Sequence, residues 1–395
     1  MQRFVVVGGG VAGHRAAIEF ARRAPTATID LLSEESCLPY DRPPLSKELL
    51  HGIKTAEQII LSGAASYPQN NIRHHPGTLV TAIDRQRQTV VTAAGTVFGY
   101  DRLLLATGSR PRRLPAECTG EAPVHYLRTL QDAMALGPQL VASRRILVIG
   151  GGFIGLEVAA AAARKNCRVT VIEAQPRLLA RGMPAMVSEW VERRHRDQGV
   201  DILTSTGVQG MRCDGSEIIV TATGSTIAAD VVIAGIGAEP NVELATDAKL
   251  EIDDGLVVDA RCRTSDPLIF GAGEVTSHPV MHGPSRRVES WKSSAEQGTV
   301  AAQAMTGADV TFDEIPSLWS DQFDINIQSI GFPDLGVAHE VLGDPASSAW
   351  TLVSLGEDGA VIGGVAINRG RDASALRRAV KQKAGSTFMQ PNKVA

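Results

Sequence analysis

Two short glycine runs carry the first chemistry in this sequence. Gly8-Gly9-Gly10-Val11-Ala12-Gly13 and Gly150-Gly151-Gly152-Phe153-Ile154-Gly155 each place glycines at the first, third and sixth positions. The first glycine of such a run permits a tight turn, the second lets backbone approach a pyrophosphate, and the third allows close helix-strand packing. A helix that opens there turns its unpaired N–H groups towards phosphate oxygens. An acid follows each run, Glu34 at 26 residues beyond Gly8 and Glu173 at 23 beyond Gly150. A carboxylate at the end of the second strand of such a unit accepts from ribose hydroxyls. One glycine run alone is weak evidence, but two in the same context predict two dinucleotide sites. One contains Gly8, Gly10 and Gly13, the other Gly150, Gly152 and Gly155. The strand-end position of the first copy is Ser33, so Glu34 and Glu35 both compete for the ribose, and Glu34 is the favoured one. Glu173 also selects the nicotinamide cofactor. A 2′-phosphate ~4 Å from a carboxylate costs about 4 kcal/mol at an effective dielectric of ~20, so NADH is expected over NADPH unless Arg177 or Arg181 compensates.

The elements that must hold these runs recur as an internal repeat. Residues 4–7 read as a buried strand, 8–13 as a turn, 16–23 as a helix and 29–32 as a second strand. In the second copy the same parts fall at 146–149, 150–155, 156–164 and 169–172. Strand-turn-helix-strand units of this kind imply a parallel sheet with right-handed crossovers. Apolar stretches ending in glycine turns at 103–108 and 231–237 occupy corresponding places in the two copies, and residues 266–273 resume the first domain. After about residue 311 the texture changes to Trp319, Phe323 and Phe332, with alternating segments at 325–330 and 350–355. The expected class is α/β, with two Rossmann-like dinucleotide-binding domains and a C-terminal α+β domain. Its expected boundaries are residues 1–109 with 239–311, residues 110–238, and residues 312–395.

Composition narrows the partners. A chain of 395 residues with 44% hydrophobic and 21% charged residues is an ordinary globular protein too long for one small module. A net charge of −4 argues against nucleic acid as a partner. No apolar stretch is long enough to span a membrane and no secretory signal is visible, so a cytoplasmic location is expected. The five cysteines, Cys37, Cys118, Cys167, Cys213 and Cys262, are widely spaced. They suggest neither a disulfide framework nor a redox dithiol. His14, His74, His75, His195, His278 and His282 show no metal-ligand spacing, so no metal is expected and these histidines read as surface or structural.

Several segments together resemble the NADH-dependent ferredoxin reductases of oxygenase systems, the group that includes putidaredoxin reductase and the reductases of aromatic-ring dioxygenases. They are Tyr40-Asp41-Arg42-Pro43-Pro44-Leu45-Ser46-Lys47, Ala106-Thr107-Gly108, residues 150–157, Arg287-Val288-Glu289-Ser290-Trp291 and Trp319-Ser320-Asp321-Gln322. The resemblance implies a glutathione-reductase-like topology, FAD on the first unit and NADH on the second, with the tail covering the flavin. It implies FAD contacts from Ala12 and Gly13 at the pyrophosphate, Glu34 at the ribose, Arg42 and Lys47 from the proline segment, and Val80 at the adenine. Ala106, Thr107, Gly108, Arg128, Gly273, Glu274, Trp291 and Trp319 complete that set. For NADH it implies Gly152, Phe153, Ile154 and Gly155 at the pyrophosphate, Glu157 near the nicotinamide, Glu173 on the ribose, and Ile236 with Gly237 under the ring.

Lys47 and Glu157 are then the expected catalytic pair, the lysine stabilising negative charge on a reduced flavin and the glutamate holding it. The competing reading of Lys47, a surface helix started by Ser46, conflicts with the rigid Pro43-Pro44 before it. Glu274 stands where the family usually has aspartate, one methylene shorter, and Ser317 stands where relatives often carry a second tryptophan. Trp319 reads either as a residue at the flavin edge or as an ordinary core aromatic.

The resemblance further implies a two-iron two-sulfur ferredoxin as acceptor, serving a monooxygenase or a Rieske-type dioxygenase, with rubredoxin as the other carrier and a monomer or homodimer as the assembly. Basic clusters at Arg110, Arg112 and Arg113, at Arg286 and Arg287, and at Arg369, Arg371, Arg377, Arg378, Lys381 and Lys383 are candidate docking faces. Two alternatives stand beside it. One is a flavin-dependent disulfide or peroxide reductase using Cys37; the other is an interaction protein that binds both nucleotides and turns over slowly.

Overall fold

The structure, a computed structural model, describes residues 2–281 and 283–389, so His282 lies outside the described residues. The chain forms two compact units. Met1–Asp41, Glu57–Arg110 and Glu239–Pro316 make the first; Arg42–Ala56, Pro111–Ala238 and Ser317–Ala395 make the second.

In the first unit five parallel strands run in the order Ile269–Gly271, Arg102–Leu105, Arg3–Val7, Thr28–Leu32, Ile72–His75. The apolar run after Arg3 alternates between two cores, as the period of a strand requires. Phe4 and Val6 pack with Phe20, Ile29 and Leu31 beneath the helix Val11–Arg23, while Val5 and Val7 pack with Leu103, Leu105 and Val90 on the other face. Val7 pairs with both Leu32 and Leu105, so three strands end level at the point where the glycine run begins. The segment 266–273 does return to this sheet, Ile269 aligning with Leu103.

The second unit repeats the arrangement with strands Asp201–Leu203, Arg168–Ile172, Arg145–Ile149, Val231–Ala234 and Val124–His125, again parallel. The helix Phe153–Arg164 follows its glycine run. The tail builds an antiparallel sheet, Ser317–Gln322, Ile325–Gly331, Val361–Ile367, Trp350–Leu355, Ala338–Gly343, closed by the helix Gly370–Gln382. Its apolar face is not a separate core. Ile325, Ile327, Trp350 and Leu352 share one with Val148, Leu156 and Trp190, and the Trp190 and Trp350 rings meet edge-on at 6.1 Å.

Both nucleotide helices begin earlier than their apolar pattern suggests, at Val11 rather than residue 16 and at Phe153 rather than 156. The reason is steric: the last glycine of each run lies inside the first helical turn, where its missing side chain lets the helix sit against the preceding strand.

Candidate functional site: two nucleotide cradles and a buried ion pair

The first cradle separates glycines needed by the fold from one that is open. Gly8 adopts φ +119°, and a Cβ there would strike the Ala106 carbonyl; one at Gly9 would strike the Ser33 hydroxyl, and one at Gly13 the Gly8 carbonyl. Gly10 has nothing within 4 Å of the equivalent position. The helix that starts beside it has no side-chain cap and no acid in its first turn, so its leading N–H groups face that opening without a side-chain acceptor. A pyrophosphate fits this arrangement.

Around the cradle several expected residues converge within the first unit. Gly273, at φ +87°, approaches Ala12 so closely that a Cβ would lie 3.0 Å from the Ala12 methyl, and Gly298 rests on the Ala12 backbone. This brings the turn at Gly273 and the helix Trp291–Met305 against the first helix. Gln297, which the sequence had not singled out, fixes that turn: its Oε1 accepts from the Gly273 N–H at 2.8 Å and the Thr276 hydroxyl at 3.0 Å. Its Nε2 and the Ser293 hydroxyl are buried polar atoms with no hydrogen-bond partner among the described residues, which leaves them able to serve a ligand. Glu274, the longer acid, accepts from the Ser109 hydroxyl at 2.7 Å. Thr107 and Asn241 exchange hydrogen bonds of 2.8 Å, and Trp291 Nε1 donates to Asp41 at 2.9 Å. Val80 is buried, at the start of the strand Val80–Asp84. Glu34 is exposed, whereas Glu35 accepts from the Tyr40 hydroxyl at 2.7 Å. Arg42, Lys47, Arg128 and Trp319 belong to the second unit.

The second cradle follows the same steric logic. Gly150, at φ +106°, would clash with Gly235, and Gly155 with the Gly150 carbonyl, while Gly152 meets only the Gly235 oxygen at 4.0 Å. Its helix is likewise uncapped. Glu173 stands at the strand end with both oxygens engaged, Oε2 accepting from Gly151 N–H at 2.7 Å and Oε1 from Gln175 N–H at 2.8 Å. Ser33 fills the corresponding place in the first copy. Arg177 is committed to Met183, Ala180 and Ser188, whereas Arg181 is exposed with its guanidinium beside Gly237. Phe153 and Ile154 open the helix, with Ile154 46% exposed. Ile236 and Gly237 form the turn after the strand Val231–Ala234.

The sharpest cluster lies deeper in the second unit. Pro43–Ser46 forms a 3₁₀ turn with Lys47 at its end, and no surface helix starts at Ser46, in keeping with the rigid prolines before it. The lysine is buried, and its Nζ lies 3.2 Å from Glu157 Oε1. Ser320 donates to the same Oε1 at 2.5 Å, and Ser46 donates to Oε2. Burial pushes the Glu157 carboxyl above its ordinary range, Lys47 and the two hydroxyls opposing the shift. Trp319, 38% exposed, places its ring 5.3 Å from the Lys47 ammonium, a cation–π distance and not a core position. Arg42 donates to the Arg128 carbonyl at 2.6 Å, joining two further expected residues. Ser46, Ser320 and Gln322 belong to the proline and Trp319–Gln322 segments, where the sequence assigned them no role; the two-residue spacing of 320 and 322 was the available signal, since it sets both on one face of a strand.

The basic clusters divide. Arg110 pairs with Glu239 and Glu243, Arg287 with Glu289, Arg369 with Asp372, and Arg377 donates to Ser317; Arg371, Arg378, Lys381 and Lys383 lie on the exposed surface of the tail. No disulfide joins the cysteines, and Cys37 is half-buried. No helix among the described residues is long and apolar enough to cross a membrane.

Comparison with known proteins gives a consistent picture. The profile of the pyridine nucleotide-disulphide oxidoreductases matches residues 2–298, and that of the Reductase C-terminal module residues 317–392. The chain is 43% identical to the anthranilate 1,2-dioxygenase system ferredoxin–NAD(+) reductase component of Burkholderia cepacia, over 95% of this chain and 93% of that one. It is 40% identical to a putidaredoxin reductase of Pseudomonas putida, over 84% and 80%. Among solved structures, the reductase of the covalent putidaredoxin reductase–putidaredoxin complex superposes with a TM-score of 0.94 at 35% identity, covering 100% of this chain and 96% of that chain.

Proposed function

The chain belongs to the pyridine nucleotide-disulphide oxidoreductase family, and from that premise we propose that it is an FAD-dependent reductase that oxidises NADH and passes electrons to a two-iron two-sulfur ferredoxin serving an oxygenase. The observation that carries this reading is the twin cradle: two uncapped helix starts, each beside a glycine whose missing side chain leaves open space.

In this reading the first cradle holds FAD through Gly8, Gly10, Ala12 and Gly13, with Ala106-Thr107-Gly108, Gly273-Glu274, Val80 and Trp291 around it and Glu34 at its ribose. Arg42, Arg128, Lys47 and Trp319 complete the flavin set. The second cradle holds NADH through Gly150, Gly152, Phe153, Ile154 and Gly155, with Glu173 accepting from the ribose and Ile236 and Gly237 beside the nicotinamide. When bound, FAD takes up two electrons together and releases them singly, which matches a two-electron donor to a one-electron iron–sulfur acceptor. The protein's own work is positional and electrostatic. Lys47 supplies a fixed positive charge where negative charge develops, and its ion pair with Glu157 keeps the ammonium in one place at no reorganisation cost. Cys37 has no part in this chemistry, and the exposed cations of the tail helix face the acidic partner.

Anaerobic addition of NADH to the purified yellow protein should bleach the visible flavin bands, and a panel of carriers should show rapid reduction of a two-iron two-sulfur ferredoxin. Cys37→Ser should keep that activity. Loss of turnover in Cys37→Ser would transfer the chemistry to the thiol, and bleaching without reduction of any carrier, rubredoxin included, would leave only a nucleotide-binding protein.

A further inference from the structure

The buried ion pair does not stop at Glu157. Ser320, which donates to Glu157 Oε1, accepts from Gln322 Nε2 at 3.0 Å, and Gln322 Oε1 lies 2.8 Å from His195 Nε2. Ser320, Gln322 and His195 are each fully buried at 0% exposure. The side chains come from four elements: the turn Pro43–Ser46 with Lys47, the helix Phe153–Arg164, the tail strand Ser317–Gln322 and the helix Ala185–Asp197. A polar chain of this length inside an apolar core is costly unless every link is satisfied.

The donors all point one way. Glu157 receives hydrogen bonds from Ser46, Ser320 and Lys47, which is the environment of a carboxylate and not of a carboxylic acid. Ser320 has one proton and gives it to Glu157, so its oxygen must accept from the amide nitrogen of Gln322. That choice turns the Gln322 carbonyl towards His195, whose Nε2 must therefore carry the proton. The opposite tautomer would set two lone pairs against each other and leave an N–H at Nδ1, a buried atom without a partner among the described residues. The charge on Glu157 thus fixes the orientation of three further side chains, and their orientation in turn holds the carboxylate.

We propose that His195, Gln322 and Ser320 form a one-directional hydrogen-bond relay that positions Glu157, and through it Lys47, for the hydride-accepting state of the enzyme. The three are positioning residues, and the assignment rests on the reductase reading above. Burial pulls the His195 imidazole down to about 4, which keeps it a neutral donor of one proton at working pH.

The test has two readouts: the imidazole nitrogen-15 shifts of His195, which report its tautomer without turnover, and single-turnover flavin reduction by NADH in the holoenzyme, with paired replacements at the far end of the relay. A proton on Nδ1 and not on Nε2 in the wild-type protein would overturn the relay whatever the rates. His195→Leu keeps the volume and removes the donor, while His195→Gln restores an amide N–H. Gln322→Glu keeps the shape and removes the donor to Ser320. His195→Leu and Gln322→Glu should slow flavin reduction at saturating NADH by about tenfold, the scale of one hydrogen bond in a network that holds a charged group, while half-saturation by NADH changes less than about twofold. His195→Gln should recover most of the rate. Ser320→Ala, the smallest change and the one nearest the ion pair, should show the largest loss and secures the test if the histidine variants fail to fold. Equal rates in the leucine and glutamine variants, or wild-type rates in Gln322→Glu or Ser320→Ala, would overturn the relay. Failure of the wild-type flavin to be reduced by NADH would instead overturn the reductase reading itself.

Discussion

At the scale of single residues, the two cradles differ most at the strand end. Glu173 accepts two backbone N–H groups, so its carboxylate is fixed in one place; if it meets the NADH ribose, as proposed above, the cost of bringing a 2′-phosphate there is electrostatic. Glu173→Ala removes both the ribose acceptor and the repulsion. The half-saturating NADH concentration should rise by about tenfold, the scale of one charged hydrogen bond, while the NADH-to-NADPH preference collapses. Steady-state kinetics with each coenzyme checks this; an undiminished preference for NADH would show that Glu173 does not set the discrimination. Ser33 holds the corresponding place in the first copy, where its hydroxyl meets His74 at 3.0 Å, so adenosine recognition there cannot copy the second site.

At the scale of elements, the glycine runs make a separable prediction. Gly10 sits at φ −71° with nothing near its missing Cβ, whereas Gly13 is pressed on the Gly8 carbonyl. Gly10→Ala should therefore fold normally yet bind FAD more weakly by about tenfold or more, because the added methyl enters the space reserved for phosphate. Gly13→Ala should lower the thermal midpoint of the protein, since overpacking between helix and strand costs about 1–3 kcal/mol. Flavin titration and calorimetry on the two variants separate the effects. A Gly10→Ala protein with normal flavin affinity would remove the first run as the phosphate site.

At the scale of the whole molecule, three histidines are held in apolar surroundings. Burial draws His14 and His278 in the first unit and His195 in the second down to about 4. An unfolded imidazole titrates near ~6.5, so between these values the unfolded chain binds protons that the folded chain refuses. Stability should fall as the pH drops from ~6.5 towards ~4, by on the order of 1 kcal/mol per pH unit for each histidine. Glu157, pushed upward by burial, acts with the opposite sign, but burial also draws down His51, His74 and His125, which add to the three. Thermal midpoints of the holoprotein measured between pH 7.5 and 5 should decline steadily; a flat profile would mean that these histidines are not the proton-linked groups.

The order of elements, the two Rossmann-like units and the tight glycine turns that open their first helices were legible in the residues themselves, because each rests on backbone sterics and side-chain alternation within a few positions. Residues 325–330 and 350–355 likewise read as strands and became Ile325–Gly331 and Trp350–Leu355. Where the helices begin was less legible, since the glycine that ends each run is itself helical. The surroundings of the Lys47–Glu157 pair were beyond reach. Ser46 and Glu157 are 111 residues apart, Ser320 and Glu157 163, and His195 and Gln322 127. No local pattern links such positions; only packing the tail sheet against the second repeat brings their polar atoms into a core dry enough to make each hydrogen bond obligatory.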